Sequence, residues 1–147
     1  MAMAVTGIIA AAASASVYQI MTNNTRNVNH MVAVKQVENA LLFLMRDIQM
    51  AQTVQTTGLP GDEKLKLAWV DWGGTPYEAV YSLDPDTGEL TRDYSAGGTT
   101  TVSHYIADLQ PVEGDGEVTV TITSTYGHPP RQSSETREVH FVPRTGA

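Results

Sequence analysis

No proline precedes Pro60, and the first charged side chain in the chain is Arg26. Nothing in the first 59 residues therefore forbids a continuous helix, while the absence of charge over Met1–Thr25 restricts where its first half can sit. The stretch MAMAVTGIIAAAASASVYQIM, residues 1–21, is rich in Ala and carries small residues throughout its length. As a helix it spans about 32 Å, close to the hydrocarbon thickness of a bilayer. Small residues such as Ala2, Ala4, Gly7, Ala11 and Ala15 let neighbouring helices approach closely.

Three readings fit this start. Ala13-Ser14-Ala15 resembles a signal-peptidase site, although no Lys or Arg precedes the apolar run. A buried helix of a soluble domain is the bland alternative, yet the segment is terminal and has no polar face. The third, a membrane-held helix that continues past residue 21 toward the rest of the chain, meets neither objection.

A polar collar, TNNTRNVNH at residues 22–30, comes next. Beyond it apolar residues fall at Met31, Val34, Val37, Leu41, Leu44, Ile48 and Ala51, spaced by 3 or 4 as on one face of a helix. Those positions are expected to pack the helix on the rest of the protein. Thr56-Thr57-Gly58-Leu59-Pro60-Gly61 then stops it. Asp47 follows Arg46 in apolar surroundings, and two roles fit it equally: an ion pair with Arg92 or with a basic partner, or a solvated helix-face position.

After Pro60 the period changes to two. Leu65–Asp71, Tyr77–Leu83, Glu89–Tyr94, Thr99–Ile106, Glu117–Thr125 and Thr136–Val142 make about six candidate strands separated by Gly-, Asp- and Pro-rich turns. The charge divides in the same place. Residues 1–55 hold three bases and two acids, whereas residues 56–147 hold six bases and 14 acids. The expected fold is therefore α+β: a long N-terminal helix, apolar and then amphipathic, packed on an antiparallel β-sheet head. Its segments are residues 1–25 as the membrane or filament-core helix, 26–55 as the amphipathic continuation, and 56–147 as the β-rich head.

This layout resembles the type IV pilin superfamily. Val5–Ile20 (VTGIIAAAASASVYQI) is similar to the region just downstream of the prepilin cleavage site. Leu41–Ala51 (LLFLMRDIQMA), Tyr81-Ser82-Leu83 with Gly88-Glu89-Leu90-Thr91-Arg92, and the late strands look most like the J-type minor pseudopilins of type II secretion and the PilW-like minor pilins. The resemblance implies a structural subunit of a pilus or secretion filament. It would be held in the cytoplasmic membrane by one helix with the head outside, and would then pass into a filament. Its implied partners are other pilins or pseudopilins through the N-terminal helix, an inner-membrane assembly platform, and the lipid bilayer before assembly. The membrane and assembly face would comprise Ala2, Ala4, Val5, Gly7, Ile8, Ile9, Ala11, Ala12 and Ala15. The basic leader and the Glu of the family pattern are missing, so the sequence is expected to begin inside a longer reading frame, and no peptidase or methylation site is assigned.

Other chemistry finds little support. An acidic chain with no Lys/Arg cluster is not expected to bind nucleic acid. There is no Cys, and His30, His104, His128 and His140 show no zinc spacing. Asp84, Asp86 and Glu89 around Gly88 form a weak calcium candidate, which a plain hairpin turn explains as well. Trp69 and Trp72 flank Asp71 and suit either a sugar-stacking surface or one core and one rim tryptophan. No nucleophile motif is present, so no enzyme and no cofactor are expected. The rival from another class is a secreted β-rich adhesin or carbohydrate-binding domain whose signal peptide is removed.

Overall fold

The computed structural model describes the backbone from Ala2 to Arg144 and the side chains from Ser14 to Arg144. A single helix, α1 (Ala2–Met50), leads into eight strands: β1 (Thr53–Gln55), β2 (Glu63–Val70), β3 (Pro76–Leu83), β4 (Leu90–Tyr94), β5 (Gly98–Ser103), β6 (Ile106–Gly114), β7 (Glu117–Tyr126) and β8 (Ser133–Phe141). These strands form two antiparallel sheets, a five-stranded meander β1-β2-β3-β4-β5 and a three-stranded meander β6-β7-β8. The expectation of an α+β head with one sheet over the helix is thereby corrected.

Two features hid the second sheet. Pro111 interrupts the alternation of β6, and it is tolerated because β6 is an edge strand, where one row of amides needs no partner. The chain also leaves the first sheet abruptly. Tyr105 takes a positive φ of 60°, and its carbonyl accepts from the Thr125 amide and the Ser124 hydroxyl, both at 2.9 Å. The Ile106 amide meanwhile donates to the Gly88 carbonyl at 2.9 Å. What reads as one strand through Thr99–Ile106 is thus nearly all of β5, a left-handed corner and the start of β6.

The helix also ends earlier than the Gly-Pro signal suggests. It stops at Met50, and β1 follows because Thr53-Val54-Gln55 pairs with Lys66-Leu67-Ala68 of β2. Sheet pairing wins over helix continuation here, helped by the β-branched Thr53 and Val54.

One core joins the three layers. Val37, Ala40, Leu44 and Ile48 of α1 meet Leu65, Leu67, Ala79, Tyr81 and Leu90 of the larger sheet and Leu109, Val118, Val120, Ile122 and Phe141 of the smaller one. The sequence stripe is partly rotated from this face. Val37, Leu44 and Ile48 are buried, Val34 and Leu41 are half-buried, and Met31 is 70% exposed. Those positions recur about every 3.4 residues, so on a helix of 3.6 residues per turn they wind off the core toward Met31. Small residues continue the true line: Ala33 and Ala40 are fully buried and allow the helix to lie close to the sheets.

A further correction concerns the membrane. No helix among the described residues is long and apolar enough to cross one, which overturns the expected single-pass inner-membrane placement. The apolar start of α1 gives way by Thr22 to TNNTRN, so the described part of the helix has no continuous apolar span.

Candidate assembly interface

Among the described side chains of α1, the head grips those from Thr25 onward. Polar anchors fix this part of the helix along its length. The Asn29 amide donates to the Arg131 carbonyl at 2.7 Å, and the Ser133 hydroxyl donates to the Arg26 carbonyl at 3.2 Å. Gln36 is held at both its main chain and its side chain. Its carbonyl accepts from the Ser103 hydroxyl at 2.7 Å, and its Oε1 accepts from the His104 amide at 2.9 Å. Arg137 of β8 reaches Glu38 at 3.4 Å and Glu135 at 3.1 Å. Inward charges of this kind on an edge strand also discourage sheet-to-sheet pairing.

The strongest anchor is a buried ion pair. Asp47 is only 1% exposed, and its Oδ2 accepts from the Tyr81 hydroxyl at 2.6 Å and from Arg92 Nε at 2.5 Å. Arg92 Nη2 donates to Oδ1 at 3.0 Å, so the contact is bidentate. Tyr81 and Arg92 lie directly opposite each other on β3 and β4, which aims both donors at one carboxylate. Burial, then the hydrogen bond and charge of Asp47, pushes the Tyr81 hydroxyl well above its ordinary pKa. Burial works against the Arg92 charge, but Asp47 outweighs it and the net shift is upward. Of the roles open to Asp47 from sequence, the intramolecular pair with Arg92 is the one observed.

The Arg92 guanidinium lies 4.4 Å from the centre of the Tyr94 ring, and Tyr94 stacks with both Trp69 and Tyr77 at 5.9 Å. Trp69 is therefore spent in an internal aromatic stack, while Trp72 is 95% exposed. The two tryptophans border one groove with Asp71 and Arg144, but Trp69 contributes little accessible surface to it.

The acidic turn does not gather its carboxylates either. Asp84 Oδ1 accepts from the amides of Asp86 and Thr87 at 2.8 and 3.2 Å, and these bonds hold its pKa below the usual carboxylate value. Glu89 instead takes the Thr101 hydroxyl. No cluster of three or more His, Asp or Glu able to hold a metal occurs among the described residues. Gly88 is required here for shape: its φ is +68°, and a Cβ would stand 3.1 Å from the Ile106 carbonyl.

Ahead of Thr25 the helix leaves the head. Val17, Tyr18, Ile20 and Met21 are all exposed, as is Ala15. Ala2, Ala4, Val5, Gly7, Ile8, Ile9, Ala11 and Ala12 lie outside the residues whose side chains are described. The uncharged, largely apolar part of the projecting helix, Ser14–Met21, has little to satisfy it except another apolar surface. No protein-family model matches the chain, and no curated protein and no solved structure matches it.

Sequence reasoning missed Asn29, Gln36 and Ser103 as the polar pins of the helix. The single signal for them was Asn29 and Gln36 lying near the phase of Ala33 and Ala40, on the side the helix buries.

Proposed function

We propose that this chain is a structural subunit of a pilin-type filament, a minor pilin or pseudopilin of a type IV pilus or type II secretion apparatus, assembling through its N-terminal helix. The observation that carries this reading is the division of α1. From Arg26 onward it is pinned to the head, and over Ser14–Met21 it projects with Val17, Tyr18, Ile20 and Met21 uncovered. The projecting segment is read as an element covered by protein, not lipid. In a bundle of such helices the small and aliphatic side chains pack against one another and no charge is stranded. The partners are other pilin-type subunits, and the function is mechanical and not catalytic.

The test is incorporation. An epitope tag on the head is followed in filaments sheared from the native host. The tagged chain is expected to co-purify with other pilin-type subunits, and deletion of residues 1–25 is expected to abolish this. Recovery of the tag only as free secreted protein, with the mature chain starting near Ser16, would sink the reading in favour of a secreted binding domain.

A further inference from the structure

The solvent side of α1, opposite the core, carries a second periodic stripe. Val28, Met31, Leu42 and Met45 are exposed large apolar residues. Lys35 and Glu38, also exposed, stand between them. Along Val28, Met31, Lys35, Glu38, Leu42 and Met45 the steps are 3, 4, 3, 4 and 3, the repeat of a seam that meets another helix. Four large apolar side chains in one line on an otherwise polar helix face are not explained by the head, which already buries the opposite side.

The order of these residues identifies the occupant. From the midpoint between Gln36 and Val37 outward, the seam reads cation, apolar, apolar in one direction and anion, apolar, apolar in the other. A second copy lying antiparallel on this face would set Lys35 against the partner's Glu38, Met31 against the partner's Leu42, and Val28 against the partner's Met45. The two-fold axis repeats every pair, so both ion pairs form and no seam charge faces its like. An in-register parallel pair would instead place Lys35 on Lys35 and Glu38 on Glu38.

The surface beside the seam fits as well. An apolar groove of about 370 Å³ runs between α1 and β8, lined by Leu41, Leu42, Met45, Val139 and Phe141. It opens where the antiparallel partner would present its Met31 and Val28. Methionine's flexible thioether chain suits such an irregular slot. Arg137 and Glu38 border the groove, and their 3.4 Å contact leaves Glu38 able to take a second cation.

We infer that two copies of this chain pair antiparallel through the Val28–Met45 face of α1, as a closed dimer distinct from any filament. The inference does not rest on the filament reading, which uses the helix ahead of Val28. A closed two-fold pair satisfies its own surface and does not propagate.

Because the chain has no cysteine, disulfide trapping reads the geometry directly. Full-length Met31→Cys and Leu42→Cys chains are mixed under mild oxidation. The mixture is expected to give a cross-linked dimer joining unlike chains, whereas each variant alone gives little. In the antiparallel pair, like positions stand 11 residues apart along the axis. That is about 16 Å, beyond disulfide reach. Sedimentation of the cysteine-free chain over a concentration series gives the second readout. Lys35→Glu is expected to weaken the dimer by about tenfold, and the double variant Lys35→Glu/Glu38→Lys to recover most of that loss. Efficient cross-linking of Met31→Cys with itself, a monomer at every concentration, or a dimer indifferent to Lys35→Glu would overturn the proposal. Trapping within the full chain also separates this contact from filament assembly, since incorporation can fail while the cross-link still forms.

Discussion

Asp47 on α1 and Arg92 on β4 form a bidentate ion pair at 2.5 and 3.0 Å that ties the helix to the larger sheet inside the core. Tyr81 completes the shell around the carboxylate from the neighbouring strand. A charge this deeply buried is tolerated because each carboxylate oxygen has a donor and the countercharge is in direct contact. The pair therefore sets the rotation of the helix on the head, and with it which face of α1 remains outside.

Removing the carboxylate leaves a guanidinium and a hydroxyl in the core with nothing to bond. Asp47→Ala is expected to cost about 3 kcal/mol, the range for breaking a buried pair from one side. Urea unfolding of the two proteins checks this through the shift in midpoint at unchanged slope. An Asp47→Ala/Arg92→Met double variant is expected to be less destabilised than the sum of the two single changes, because it no longer strands a charge.

Tyr81 makes stability fall at high pH. Its pKa is raised in the folded protein from an ordinary value of 10.0, so the folded state holds its proton after the unfolded state has released it. The contribution is fully present below pH 10 and is lost as the pH rises toward the folded value. Above pH 10 the slope is expected to be about −1.4 kcal/mol per pH unit from this one group. Denaturation curves measured between pH 8 and about 11.5 are expected to show that slope, and Tyr81→Phe is expected to remove it.

Gly127 gives the loop after β7 its close approach to the helix. Its φ is +95°, and a Cβ there would meet the Asn29 amide nitrogen at 2.5 Å. Gly127→Ala is expected to displace Asn29 from the Arg131 carbonyl and to cost about 1–3 kcal/mol. In a double-mutant cycle with Asn29→Ala the two losses are expected to be clearly sub-additive, because both act on one contact.

The buried line of α1 can be tested by contrast with the exposed one. Leu44→Ala is expected to cost about 3 kcal/mol by opening a cavity under both sheets. Met31→Ala is expected to change monomer stability by less than about 0.5 kcal/mol. Comparing the two at a concentration low enough to favour monomer keeps any self-association out of the measurement.

The long helix and most of the strands are legible in the residues alone. A proline-free first 59 residues, apolar positions every three or four residues, and strict alternation in EVTVTITST at Glu117–Thr125 are local patterns with a local physical cause. β6 was not legible, because Pro111 masks its alternation, and it is a strand only through pairing with β7. Nor was the division of strands between two sheets, which turns on the left-handed corner at Tyr105 and the carbonyl contacts it makes with Ser124 and Thr125.

The chain's local periodicity dictated that a long helix would precede a β-rich acidic domain, since hydrophobic spacing and turn residues act over a few positions. Tertiary packing alone decided that Asp47 is paired with Arg92, that Ala33 and Ala40 rather than Met31 face the core, and that Met31 faces outward. Each of these depends on which residues distant in sequence arrive on the same side of a helix, and a repeat spaced near 3.5 residues leaves that rotation open until the sheets close over it.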